Sequence, residues 1–211
     1  MSVIGTPKEW ADLIDSMVPE ILRLIVATWE NLPSPARDEK EDNITVNLCS
    51  ALRQNRTARG LMFQIQTQFV ELDPMPGEDV GRLDIVFIPP ISREDFYFCL
   101  ESKRLNALKN GKVRAYAAEY VKLGMLRFIT GQYSKRVRHG GMMAYVLDGR
   151  VSRARSNIAA NIRKSYAALR MSPPGVLLFS TVLIGDARAR ETHHYRKHEK
   201  TKFSIHHLFL K

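Results

Sequence analysis

Apolar residues recur at helical spacing from Trp10 to Trp29, where Trp10, Leu13, Ile14, Met17, Ile21, Leu22, Ile25 and Trp29 fall on one stripe. That period predicts a packing helix, with a bend or restart at Pro19, which lacks a backbone donor. Two prolines and a run of charges make 31–40, NLPSPARDEK, a loop. The stripe resumes in EDNITVNLCSALRQN with Ile44, Leu48, Ala51 and Leu52. It predicts a second helix whose first-turn acids, Glu41 and Asp42, suit the helix dipole.

The period then changes to two. In 61–72, LMFQIQTQFVEL, Phe63, Ile65 and Phe69 face one way and Gln64, Gln66 and Gln68 the other, which predicts a strand with one polar face. DPMPGED, 73–79, has turn composition. GRLDIVFIPPISREDFYFCLESKRL, 81–105, follows as two more strands, LDIVFI and FYFCLESKRL, joined by PPISRED. Within 106–134, Val113, Tyr116, Ala117, Tyr120 and Leu123 trace a long helix with a buried stripe. SKRVRHGG is a basic loop, GMMAYVLDG (141–149) a buried strand and RARSNIAANIRKSYAALR a basic amphipathic helix. GVLLFSTVLIG (175–185) and KFSIHHLFLK (202–211) read as the last strands.

Three consecutive strands predict a meander, and the strand-helix-strand after them predicts a crossover to a parallel neighbour. The expected fold is α/β, a central mixed β-sheet flanked by helices on both faces. At 211 residues one domain is expected: a packing helix in 1–36, a core in 37–149, and a helix with closing strands in 150–211.

Charge sharpens the picture. Lys and Arg number 32 against 22 Asp and Glu, a net +10, so a polyanion is the expected partner class, and the charge alone does not say which. Cys49 and Cys99 sit inside apolar patterns with no metal-thiolate spacing and read as reduced core cysteines. The longest charge-free run, 173–185, is too short to span a bilayer, so no membrane association and a cytoplasmic location are expected.

Asp84, Glu101 and Lys103 interrupt strands that are otherwise apolar, where an ionised group is costly unless something pairs with it. Glu101 and Lys103, two apart, project from one face of their strand. If the strands pair through PPISRED, opposed residue numbers sum to about 185 and Asp84 faces Glu101. Two facing carboxylates need a cation. Lys103 supplies one positive charge, and a hard divalent ion such as Mg²⁺, with Mn²⁺ able to substitute, fits the set better.

An acid on one strand, Glu-x-Lys about seventeen positions later on the next, an acid-bearing helix before and a long helix and strand after resemble the PD-(D/E)XK nuclease superfamily, with its restriction-endonuclease-like core. The match covers about Arg37 to Gly149, with Leu83 where the motif's proline stands. The resemblance implies Asp84 and Glu101 as metal ligands, the Ser102 carbonyl as a further ligand, Lys103 orienting the attacking water and Glu41 as an auxiliary acid. EYVKLGMLRFITGQYS and GGMMAYVLDG also loosely resemble nucleases of bacterial defence islands, which implies an antiviral role. The implied activity is Mg²⁺-dependent endonucleolytic hydrolysis, of DNA in preference to RNA. The competing reading is a catalytically inactive nucleic-acid-binding or assembly subunit of the same fold. A second copy of the chain, or a partner protein from a multi-gene system, is compatible with either.

Lys135, Arg136, Arg138 and His139 in the basic loop, with Arg153, Arg155, Arg163 and Lys164 on the next helix, are candidate phosphate contacts. Gln132 and Tyr116 either line a cleft or pack. His193, His194, His198, His206 and His207 cluster near the C-terminus, and HHYRKH reads as a basic, solvated loop near nucleic acid rather than a metal site.

Overall fold

The computed structural model describes residues 5–70, 81–91, 93, 95–196 and 202–211, so the expected 73–79 turn and His198 lie outside the described residues. Helix α1, Pro7–Trp29, starts at a capping box: Glu9 N–H donates to Thr6 Oγ1, and Thr6 N–H donates to the Glu9 carboxylate. Pro7 occupies a first-turn position that needs no donor. The helix continues through Pro19 without the expected restart. Val18, Ile21, Leu22, Leu24 and Ile25 are buried around it, and packing of this kind outweighs a local propensity penalty. Helix α2, Glu41–Ala58, follows as expected, with Ile44, Leu48, Cys49 and Leu52 buried.

Seven strands form one mixed sheet: β1 (Gln64–Val70), β2 (Arg82–Ile88), β3 (Phe98–Leu105), β6 (His139–Val146), β9 (Lys202–Leu210), β8 (Ala189–Tyr195) and β7 (Leu178–Phe179), in that spatial order. The first three form the antiparallel meander, β3–β6 and β6–β9 are parallel, and β9–β8–β7 are antiparallel. Helices cover both faces. Ile85, Phe87, Leu100, Met143 and Leu208 pack with α1 and α2. Val86, Cys99, Met142, Ala144 and Phe209 pack with the helical segment after β3 and with α5, Val151–Lys164.

Three expectations are corrected. The long helix does not begin before residue 117: Ala107–Lys109 (β4) and Lys112–Arg114 (β5) form a separate hairpin, and Val113 is exposed. Asn110 and Gly111 both take positive φ, the left-handed pair that a two-residue hairpin turn demands. Helix resumes as α3 (Ala117–Glu119), a π-helical stretch (Tyr120–Met125) and α4 (Leu126–Thr130), closed by Gly131 at φ 85°. Second, 175–185 is no long strand. Only Leu178–Phe179 pairs, because the Ser180 hydroxyl accepts from the amides of Val182 and Leu183 and turns the chain. Third, the HHYRKH segment is not a solvated loop up to residue 195: it ends β8, whose His194 is fully buried.

Candidate active site

The site lies where β2 and β3 part. Their register, Ile85↔Leu100, Val86↔Cys99 and Phe87↔Phe98, has the expected sum, and Asp84 against Glu101 would be its next step. Instead of a ladder bond, Asp84 Oδ2 accepts from the Ser102 amide at 2.6 Å. Across the other edge of β2, Gln68 stands at φ 51° and is skipped in the β1–β2 pairing, so the sheet is irregular on both sides of Asp84.

Glu101, 1% exposed, is the centre of the site. Its Oε1 accepts from Lys103 Nζ at 2.8 Å and from Arg127 Nη1 at 3.0 Å. Lys103 Nζ also donates to the Ser102 carbonyl at 2.6 Å and to Glu41 Oε1 at 3.2 Å. Glu41, at the start of α2, accepts the Arg104 amide on its other oxygen at 2.7 Å, which fixes the helix terminus against β3. Glu41, Asp84, Glu101, Ser102 and Lys103 are therefore brought together. Asp42, one residue on, is exposed.

Burial pushes the Glu101 carboxyl up to about 7, and Asp84 pushes the same way against the pull of Lys103 and Arg127. Asp84 is also raised, by burial first, with Lys103 and the Ser102 amide opposing. Burial pulls the Lys103 ammonium down, but Glu101, Glu41 and Asp84 together hold it above its ordinary value. Glu101 Oε2 is buried with no hydrogen-bond partner. A buried carboxylate oxygen without a partner is unusual, since nearly all buried polar groups are paired.

The side chains and carbonyl gathered here are hard oxygen donors. Among the described residues no three His, Cys, Asp or Glu side chains converge to enclose a metal by themselves. Two carboxylates, a backbone carbonyl and room for water are what Mg²⁺ or Mn²⁺ accepts.

Several contributors carried no signal in the sequence. Arg127 is held by Tyr133, whose hydroxyl accepts from it at 2.8 Å and donates to the Arg82 carbonyl at 2.9 Å. Arg82, Lys122, Arg127, Thr130 and Gln132 line a cleft of about 640 Å³, so Gln132 is a cleft residue; Glu101 does not line it and is linked to it through the ion pair with Arg127. Tyr116 packs against both cores. Gly124 lets the π-helical stretch press onto the sheet, since a Cβ there would overlap the Met142 side chain and stand 3.6 Å from Glu101 Cγ. Behind β3, Tyr145, stacked on Trp29, has its hydroxyl 3.4 Å from Ser102 Oγ and 3.2 Å from Thr45 Oγ1.

The candidate phosphate contacts are not brought to this centre. Arg136 pairs with Asp95 at 2.6 Å, and Arg138 pairs with Asp12 and with Asp15. Their loop, including Lys135, is fastened by the buried Arg196 guanidinium, which donates to the carbonyls of Phe128, Tyr133, Ser134, Lys135 and Val137. Arg153 and Arg155, on α5, line a different groove with Arg150, Arg188 and Phe209.

Among the described residues, His194 and His207 belong to a buried hydrogen-bond chain. Leu169 O can only accept, so His194 Nδ1 donates to it at 2.8 Å, and the neutral ring then accepts the Thr192 hydroxyl on Nε2 at 2.7 Å. Thr192 Oγ1 in turn accepts from His207 Nε2 at 2.9 Å, and His207 Nδ1 accepts the Tyr120 hydroxyl at 2.8 Å. One carbonyl thus orients a chain of four side chains from β8 to the π-helical stretch. On the opposite face His206 stacks on His139, whose Nδ1 lies 2.9 Å from its Nε2.

No protein-family model, curated protein or solved structure matches the chain.

Proposed function

We propose that the chain is a divalent-metal-dependent endonuclease of the PD-(D/E)XK type, with a restriction-endonuclease-like core, hydrolysing phosphodiester bonds of DNA. The observation that carries this reading is the buried Glu101, with Oε2 unpartnered, set between Asp84 and Lys103 at the opening of the sheet. An ion network evolved only for packing has little to gain there, because apolar residues of equal volume stabilise at least as well.

Asp84, Glu101 and the Ser102 carbonyl would hold a Mg²⁺ or Mn²⁺ ion, which would supply an acidified water and charge stabilisation at the phosphate. Lys103 is the movable cation: its ammonium is held by Glu101 and Glu41 and sits where it can orient the attacking water. Arg127, about a third exposed, neutralises Glu101 from the cleft side and offers the rest of its guanidinium to a phosphate. Tyr133 keeps that guanidinium in place.

The test is incubation of purified protein with supercoiled plasmid and with single-stranded DNA, in Mg²⁺, in Mn²⁺ and in EDTA. Nicking or linearisation in either metal and none in EDTA is expected. Intact plasmid under all conditions defeats the reading.

A further inference from the structure

Immediately after the Glu101–Lys103 strand the chain leaves the main sheet to form the β4–β5 ribbon, for which the chemistry above has no use. Its register is Ala107↔Arg114, Leu108↔Val113 and Lys109↔Lys112. Opposed residues share a face and faces alternate along a strand, so Lys109, Lys112 and Arg114 stand together on one face and Leu108 and Val113 on the other. All three cations are exposed, and none has an acidic partner among the described residues. Lys109 and Lys112 are directly opposed, an arrangement that weakens a cross-strand pair. An isolated hairpin that keeps such a pair gains from an anion outside the fold.

The base of the ribbon is fixed. Leu108 N–H donates to the Arg37 carbonyl at 2.8 Å, and the Asn106 side chain donates to Asp148 at 2.9 Å. Lys109 is six residues beyond Lys103, at most about 20 Å along extended chain. That reach is less than one turn of B-DNA, about 34 Å.

We propose that the β4–β5 ribbon is a duplex-DNA contact, its Lys109–Lys112–Arg114 face set against the phosphates bordering the major groove beside the bond to be cut. The B-form major groove admits a two-stranded ribbon, whereas that of A-form RNA is too narrow for side chains to read. The proposal deepens the nuclease reading and rests on it for the placement of the scissile bond.

The test is fluorescence anisotropy in EDTA, with a mixed-sequence DNA duplex of about three helical turns and an RNA duplex of the same sequence. The triple variant Lys109→Ala, Lys112→Ala, Arg114→Ala is expected to lose at least about tenfold in DNA affinity, and its log–log salt dependence to become shallower by about 2.7, or 0.9 per lost contact. Lys112→Glu alone should weaken DNA binding while its melting temperature stays level or rises, since it sets an acid opposite Lys109; a folding defect gives the opposite melting result. Duplex RNA should bind more weakly and ignore both changes. The proposal is overturned if wild-type protein does not bind duplex DNA, if the triple variant keeps wild-type affinity and slope, or if RNA binding falls equally. Hairpin-dependent binding without metal-dependent plasmid cleavage supports the surface and removes the chemistry. Cleavage with hairpin-independent binding does the reverse.

Discussion

Acidification should expose the cost of the buried histidines. Burial pushes His194 down to about 4 and His206 to about 3, and also holds His207 well below its ordinary value. A neutral buried ring binds no proton where its unfolded counterpart, with a pKa near 6.5, already does, so stability falls as pH drops below about 6.5 and stops falling at the folded values. At about 1.4 kcal/mol per pKa unit the full losses are roughly 3 kcal/mol for His194 and roughly 5 kcal/mol for His206, of which about 2 kcal/mol each is lost by pH 5. Glu101 works the other way. Its folded pKa of about 7 lies above the unfolded 4.5, so its contribution is fully present below pH 4.5 and is lost as pH rises through 7. It returns roughly 2 kcal/mol between pH 7 and 5, so the wild type should lose at least about 2 kcal/mol over that interval, with His207 adding to the fall, and should fall more steeply below pH 4.5, where Glu101 has nothing more to return. Glu101→Gln removes the offset and should lose at least about 4 kcal/mol between pH 7 and 5, a large share of a typical domain's stability. Urea titrations in EDTA, followed by fluorescence of the buried Trp10 and Trp29, read both curves. Equal stability of Glu101→Gln at pH 7 and pH 5 would refute the reasoning.

Lys103→Ala should cut plasmid cleavage by about 10²–10⁴-fold in a single-turnover assay, with DNA affinity little changed and the metal-free melting temperature lowered, because Glu41, Asp84 and Glu101 lose their shared cation. Glu41→Ala should lose far more activity than Asp42→Ala in the same assay, because Glu41 holds Lys103 and the Arg104 amide while Asp42 faces solvent. Gly124→Ala forces Met142 or the π-helical stretch to move and should destabilise by about 1–3 kcal/mol in urea titration, with activity reduced as well because the stretch lies over Glu101.

The meander, its register and the placement of Asp84, Glu101 and Lys103 were legible in the sequence because each strand is short, apolar and bounded by turn residues. The parallel crossover followed from strand-helix-strand order. The β4–β5 hairpin was hidden by Val113 and Tyr116, which continue the helical spacing of Ala117 and Tyr120 backwards; the Asn110–Gly111 pair was the competing signal, and turn chemistry prevailed. Strand β8 was hidden by polarity: ARETHHY reads as surface, yet Glu191, Thr192 and His194 are buried and each is bonded outside its own strand, to Thr181, His207 and the Leu169 carbonyl respectively. Arg127 and Tyr133 were silent for a related reason. Their roles arise from the fold bringing α4 and its following turn over Glu101, and no local pattern encodes that.

The central claim is that Asp84 and Glu101 are a metal site and not a packed ion network, and paired thermal melts of wild type and Asp84→Asn, in EDTA and in millimolar Mn²⁺, test it most directly. A metal that binds only the folded form adds about 2.7 kcal/mol at about 100 times its dissociation constant, which for a domain of this size is a rise of several degrees. The wild type should show that rise. Asp84→Asn should melt higher than wild type in EDTA, since one of two crowded carboxylates is gone, and should show no rise with Mn²⁺. An Asp84→Asn protein that melts lower in EDTA and keeps the Mn²⁺ shift would contradict the account.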